Sequence, residues 1–523
     1  MLLASLVLAA TTGAALRLTV GSLRWPLVHD GPLMHYVAQR ILDGAAPYRD
    51  LFDMNFPGVY LVHLAGLVLL GPGDGAFRAF DLGVLVLAVA GMIVALRPFG
   101  LWASGAAASL FWLYHVAGGA WRTGQRDLLL CMPLGWMTAG TIAFARSGRL
   151  ANLVGAGVAL GFAVWIKPYA VLWIPLLIAA AWTTRPRGRA LGLLALGLAT
   201  PAVPVLAWIA WQGALPAFVD MVVRYLLPLY SRVGRVSPLA AVAGQYLGVP
   251  LLAGLGAWGA LGAVVLATGP RGRVSRATGA PSPSGPSPSG QVVVRPALAL
   301  LLGGVGCGVL HYWLQGKGWE YHLYPLALFL VALGAAGFGQ AVRQRRVLAV
   351  MTLVAVLSAT TWILARKGEG GLEAEWIAVK TRRAHALAAT LAPDVLAGGT
   401  VQVLDTTEGG IHALYLLGAR EPTRFIYDFH FYHDIQHPYI QRLRAELLTG
   451  LAARPPAAVV LFRAGWPAGG YERVDQFPAL RDWLAAHYAV AAEGDGYRVY
   501  RPIRREAIAR ELVGGGGVGG GSD

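Results

Sequence analysis

Four short polar islands in an otherwise apolar chain of 523 residues carry the residue types that chemistry needs. They are Val28-His29-Asp30, Gly124-Gln125-Arg126-Asp127, Ile166-Lys167-Pro168-Tyr169 and Gln315-Gly316-Lys317-Gly318-Trp319-Glu320-Tyr321-His322. Each mixes ionisable groups with amides, aromatics or histidines. A carboxylate in such a set can take a proton in a reaction. Arginine and lysine can stabilise negative charge in a water-poor site. In the fourth island Gly316 and Gly318 let the backbone approach a ligand closely.

The elements that hold these islands belong to a membrane protein. Hydrophobic residues make up 56% of the chain and charged residues only 13%, and several apolar stretches reach the ~18 residues that crossing a bilayer requires. A second set of islands alternates with the first and is purely basic: Arg97; Arg146 and Arg149; Arg185, Arg187 and Arg189; Arg271, Arg273 and Arg276; Arg343, Arg345 and Arg346. Loops rich in arginine without acids are expected on the cytoplasmic side, which puts all the mixed islands on the outer face. Much of the formal charge of +16 lies in these loops, where it orients the chain and meets anionic headgroups; no nucleic-acid partner is expected. Cys131 and Cys307 both fall inside apolar segments, so neither a disulfide nor a cysteine metal site is expected.

The expected fold is a polytopic α-helical membrane protein of about eleven spans. A retained first span over residues 1–20 is followed by spans at 77–96, 101–118, 128–145, 151–166, 168–184, 190–211, 239–267, 296–314, 323–340 and 347–365. The first outer loop, 21–76, contains Val59–Leu70, too short to cross comfortably and read as an interfacial helix. Residues 268–295, rich in Pro, Ser and Gly, read as a disordered cytoplasmic loop. After the membrane domain, 1–365, hydropathy falls and residues 366–512 read as a small α/β domain on the outer face. Its strands are expected at 401–404, 424–427, 457–462 and 497–500, and its helices at 374–391, 436–452 and 477–487. The tail 513–523 is a flexible Gly-rich linker by composition.

The first outer loop carries a family resemblance. His29-Asp30-Gly31-Pro32, then Asp43-Gly44-Ala45-Ala46-Pro47-Tyr48-Arg49-Asp50, then Asn55-Phe56-Pro57-Gly58, Gly71 and Phe77-Arg78-Ala79-Phe80 resemble the amino-terminal signature of the GT-C glycosyltransferases. The nearest branch contains the protein O-mannosyltransferases and aminoarabinose transferases. The match covers residues 1–200 as motif and the whole chain as architecture. There are two departures. Many members have an acidic pair where this chain has Asp30 followed by Gly31, and two consecutive prolines where it has Asn55-Phe56-Pro57.

The resemblance implies a membrane glycosyltransferase that moves a sugar from a polyprenyl-phosphate-linked donor to a lipid, glycan or protein acceptor at the outer face of the plasma (inner) membrane, with inversion at the anomeric carbon. It implies Asp30 as the base. Arg126, Lys167, Arg224 and Lys317 are the cations available to the leaving phosphate. His29, Tyr48, Asp50, Gln125, Gln315, Trp319, Glu320, Tyr321 and His322 are the candidate substrate contacts. The chain has no Asp-x-Asp pair suited to a nucleotide-sugar metal; a divalent metal is compatible with this chemistry but not required by it.

Each residue also has a blander reading. Asp30 could cap its helix, Arg126 and Asp127 could be a surface pair worth at most ~1 kcal/mol, Lys167 could snorkel to the interface, and Trp319 and Tyr321 could belong to an aromatic belt. His430, His433 and His437 would share a face, and could bind zinc, only on a helix; Phe429, Phe431 and Tyr432 interrupt them and Pro438 follows. Acceptor recognition and ordinary surface polarity are the other readings of that cluster. A transporter or flippase of a lipid-linked sugar is the alternative function, but it would place ionisable groups near the bilayer midplane, often with internal repeats. A non-catalytic scaffold leaves the first-loop signature unexplained.

Overall fold

The computed structural model describes residues 1–269, 294–370 and 374–503. The expected loop 268–295 and the Gly-rich tail thus fall almost wholly or entirely outside the described residues. The chain divides into two compact units. The first comprises Met1–Pro47, Met54–Val219 and Gly234–Ile377; the second comprises Tyr48–Asp53, Asp220–Val233 and the chain from Ala378 onward.

The first unit is helical. Among the described residues, eight helical stretches are long and apolar enough to cross a membrane: Leu2–Ser22, Asp74–Phe99, Arg126–Ser147, Arg187–Trp211, Gly248–Thr268, Val294–Gln315, Glu320–Arg343 and the stretch that opens at Val347. The expected spans 101–118, 151–166 and 168–184 are present as shorter helices, Leu101–Val116, Leu150–Ile166 and a 3-10 turn at Pro168–Trp173 running into Ile174–Trp182. The expected span 239–267 is instead two helices, Pro238–Ala243 and Gly248–Thr268, because Leu247 adopts a left-handed conformation between them (φ 53°). Pro57–Leu70 forms a helix of 14 residues, below the ~20 residues of an ordinary span.

Small residues bring these helices together. A Cβ on Gly91 would lie 2.8 Å from the backbone of Gly135, so the Asp74–Leu96 and Arg126–Ser147 helices meet backbone to backbone. Close approach of this kind supplies the van der Waals packing that holds helices together where no hydrophobic force acts between them. Glu320–Arg343 is the central helix, 89% buried over its apolar window. At the far end of Arg126–Ser147, Gly148 closes the helix in a left-handed cap (φ 64°) whose N–H reaches Phe144 O at 2.8 Å. This turns the chain directly into Leu150–Ile166 and sets Arg146 and Arg149 on the turn.

The second unit is built on a four-stranded sheet of order β1-β2-β4-β3. Here β1 is Val401–Leu404, β2 Ala458–Phe462, β3 Tyr488–Gly494 and β4 Tyr497–Pro502. β1 and β2 pair parallel; β4 pairs antiparallel with both β2 and β3. Helices Gly410–Leu417, Pro438–Ala453 and Pro478–His487, with most of Ala374–Leu396, complete it. The strand expected at 424–427 does not form: Phe425 makes one isolated bridge to Phe52, and Phe52 N donates to Arg424 O at 2.6 Å. The fourth strand is β3, which is alanine-rich and mostly exposed. It is joined to β4 by Asp495-Gly496, a two-residue hairpin connection that only a glycine with φ 80° makes easy. His430 lies in a 3-10 turn, Phe429–Phe431, and His437 caps the Pro438–Ala453 helix, so the three histidines do not share a helix face. Among the described residues no group of three or more metal-ligating side chains forms.

Candidate functional site

Asp30 is the first residue of the Asp30–Leu42 helix, where a carboxylate is favoured by the helix dipole. His29, which precedes it, is held at φ 61°, a conformation costly for a residue with a side chain. Gln125 Nε2 donates to Asp30 Oδ2 at 3.2 Å and to Trp121 O at 2.9 Å. His29 Nε2 lies 3.8 Å from Asp30 Oδ1, and its ring sits between Trp121 (5.9 Å) and Trp376 (5.7 Å).

Phe77 sets the spacing of the two loops. A Cβ on Gly31 would come 2.8 Å from Phe77 Cζ, on the Cε1 edge, and a Cβ on Gly124 would come 2.6 Å from the same atom, on the Cε2 edge. A side chain at position 31 would therefore press on this ring. Gly124 is further fixed by its N–H, which Asp81 Oδ1 accepts at 2.7 Å. Asp81 in turn pairs with Arg78 and with His115 Nε2 (2.9 Å), and His115 Nδ1 pairs with Tyr324 OH (2.7 Å). Arg78 of the Phe77-Arg78-Ala79-Phe80 motif thus acts through Asp81 on the loop that presents Gln125 and Arg126.

The cations separate into two kinds. Lys167 Nζ donates to Asp127 Oδ2 and His311 Nε2 pairs with Asp127 Oδ1, each at 2.6 Å. Asp127 is fully buried, with Lys167 and His311 on its two oxygens, so Lys167 has a buried counter-charge. Arg126 hydrogen-bonds Asn55 Oδ1.

Lys317 sits between Gly316 (φ 60°) and Gly318 (φ 69°) in a loop pinned by Val236 N to Gly316 O (2.8 Å) and Gln245 Nε2 to Gly318 O (3.0 Å). The Arg235 guanidinium packs against Gly316, where an added Cβ would be 3.0 Å away. Burial, and then the Arg235 charge, bring the Lys317 ammonium down to about 8. Two cations thus stand close together in a half-buried loop. Gln315 Nε2, buried beside them, has no hydrogen-bond partner among the described residues.

An aromatic wall joins these parts. Trp319, Tyr321 and His322 pack on one another at 4.8–5.5 Å, and Tyr321 meets Trp121 at 5.5 Å. Glu320 is not turned to a ligand: it is paired with Arg122 and with Lys367 Nζ, the latter at 2.8 Å.

The first unit therefore brings together His29, Asp30, Gln125, Arg126, Lys167, Gln315, Lys317, Trp319, Tyr321 and His322, with Glu320 as a structural ion pair. Tyr48, Asp50 and Arg224 belong to the second unit. There Tyr48 is buried, Asp50 pairs with the adjacent Arg49 at 2.8 Å, and Arg224, 64% exposed, lies 3.4 Å from Asp220. Sequence reasoning missed Arg235, Asp81, His115 and His311. Arg235 had a readable signal as a cation outside the Arg-only loops, and His311 as a polar residue near the end of an apolar segment.

No family model and no curated protein matches this chain. Solved structures do. ArnT from Cupriavidus metallidurans bound to undecaprenyl phosphate superposes with a TM-score of 0.52 over 96% of this chain and 98% of that one, at 14% identity. The apo form of the same protein gives 0.53 over 95% and 97%, also at 14% identity. The chain is a polytopic helical membrane protein with the fold of ArnT, in both its helical and its sheet-bearing parts.

Proposed function

We propose that this protein is a divergent GT-C glycosyltransferase that moves a sugar from a polyprenyl-phosphate donor to an acceptor hydroxyl at the extracytoplasmic face. The observation that carries this reading is that one unit holds a partly exposed carboxylate, Asp30, and a loop of crowded cations, Lys317 and Arg235, linked by the Trp121, Tyr321 and Trp319 rings, in a chain whose fold is that of a protein crystallised with undecaprenyl phosphate.

In this reading the acceptor oxygen attacks the anomeric carbon, the bond from that carbon to the phosphate oxygen breaks, and the acceptor proton passes to Asp30. Gln125 holds the carboxylate toward the acceptor. Lys317, Arg235 and Arg126 take up the charge that grows on the leaving polyprenyl phosphate. Lys167 and Asp127 position the wall between these groups. A single displacement inverts the anomeric configuration. The sheet-bearing unit is proposed to supply acceptor contacts.

The test is turnover of a defined polyprenyl-phosphate sugar by the reconstituted protein, with the anomeric configuration of the product read by NMR. Retention of configuration would remove the single displacement. Movement of the donor across a vesicle bilayer without consumption of it would favour the flippase.

A further inference from the structure

Three helices of the first unit carry the candidate site at one end and a second feature at the other. The first-site ends are Arg126 and Asp127 of Arg126–Ser147, Lys167 before Pro168–Trp182, and His311 and Gln315 of Val294–Gln315. At the opposite ends the same helices enclose a cavity of about 520 Å³, walled by Thr141, Ile142, Phe144, Leu176, Ala180 and Leu300, with Arg295 at its edge. From Asp127 to Ile142 is about fifteen residues of helix, or ~22 Å at ~1.5 Å per residue, so a group bound at the candidate site and one bound here lie toward different membrane faces.

The cavity wall is apolar in effect as well as in composition. Its two hydroxyls are spent on their own helices, Thr141 Oγ1 on Met137 O (2.7 Å) and Thr183 Oγ1 on Ala180 O (2.7 Å), and back-bonding of this kind leaves no hydroxyl donor for a polar ligand. One charged residue, Arg295, lines the mouth, and the nearby helix-end turns carry further arginines. Arg295 is exposed, and Arg146 and Arg149 stand at the Gly148 turn beyond Phe144, while Arg185 and Arg187 follow Trp182. No acid lies in these turns. A greasy slot with an arginine at its edge matches a molecule with hydrocarbon below and negative charge above.

We infer that this cavity holds one anionic phospholipid, its acyl chain between the Arg126–Ser147, Ile174–Trp182 and Val294–Gln315 helices and its phosphate at Arg295. The polyprenyl tail of a donor is the competing occupant, since it is long enough to cover the ~22 Å from the cation loop; what favours a phospholipid is Arg295 at the mouth, where a donor's tail would bring no charge.

The test uses the full-length protein in nanodiscs containing equal amounts of phosphatidylglycerol and phosphatidylethanolamine, followed by native mass spectrometry of the released protein. Wild type should retain one phosphatidylglycerol with ~5-fold preference, the size expected for about one arginine at a membrane surface. Arg295→Ala should lose the preference, Ala180→Phe should lower retention of both lipids because the ring narrows the slot, and Arg97→Ala, on another Arg loop, should behave as wild type. Circular dichroism on each variant separates loss of lipid from loss of fold. Equal retention of the two lipids by wild type, an unchanged preference in Arg295→Ala, or retention of added polyprenyl phosphate in place of phosphatidylglycerol would each overturn the assignment.

Discussion

Gln125 hands its amide N–H to Asp30 Oδ2 across 3.2 Å although 95 residues separate them, and the same amide is anchored to Trp121 O. The carboxylate therefore points in a direction fixed by a second loop. Removing the base and removing its holder should have different consequences. Asp30→Asn should lower kcat by ~10²–10⁴-fold with donor affinity unchanged. Gln125→Ala should lower kcat by ~10–100-fold, as expected for one hydrogen bond to a charged group. Steady-state kinetics together with donor binding by titration would check both, and near-normal turnover of Asp30→Asn would reassign the base.

Donor affinity should fall as pH rises through about 8, where Lys317 loses its proton. The stability of the unliganded protein should move the opposite way. A lysine held below its unfolded value binds fewer protons folded than unfolded, so this group contributes stability that increases from about pH 8 toward the ordinary lysine value of ~10.4. Donor binding measured from pH 6.5 to 9.5 for wild type and Lys317→Arg would show the effect, since the arginine keeps its charge throughout. An equal pH dependence in both proteins would exclude Lys317 as its source.

Gly31→Ala should destabilise the protein by about 1–3 kcal/mol, the range for overpacking a filled interior, because its Cβ would press on Phe77 Cζ. Trimming the ring should restore much of the loss, so that Gly31→Ala/Phe77→Leu melts above Gly31→Ala alone. Thermal melts in detergent would reveal this coupling. Simple additivity of the two changes would mean that the ring moves freely.

Asp127→Asn should be more damaging than its distance from the reacting bond suggests. It leaves Lys167 buried without its counter-charge, a change that costs about 3–5 kcal/mol. The double variant Asp127→Asn/Lys167→Met should recover part of the melting temperature but not the arrangement of His311. If the double variant melts no higher than the single, the ion pair is not the source of the loss.

The sequence was most legible where one physical signal dominated. Unbroken apolar runs announced most of the spans, and the helices at Arg126–Ser147 and Glu320–Arg343 lie within a few residues of their expected places. It was least legible where a single backbone angle decides, as at Leu247. The strand Tyr488–Gly494 was hidden because alanine has weak strand preference, while the aromatic and β-branched residues of 424–427 imitated a strand. At the site, Asp30, Gln125, Arg126 and Lys317 could be picked out as polar residues at span ends. What could not be read was the sorting of the cations: that Asp127 occupies Lys167, that Glu320 is enclosed by Arg122 and Lys367, and that Arg235 stands beside Lys317. Pairing between residues hundreds of positions apart is a property of packing, and no local pattern encodes it.

The enclosure of Glu320 also bears on how much the protein must reorganise to receive a ligand. Arg122 and Lys367 both pair with Oε1 of this one carboxylate, one from the loop before the Arg126–Ser147 helix and the other from the end of the Val347–Glu369 helix. The backbone between Trp319 and Tyr321 is clamped at its midpoint, and the two rings flank the clamp. An incoming donor would find its aromatic wall already assembled, so that little conformational freedom remains to be surrendered on binding and more of the contact energy is expressed as affinity.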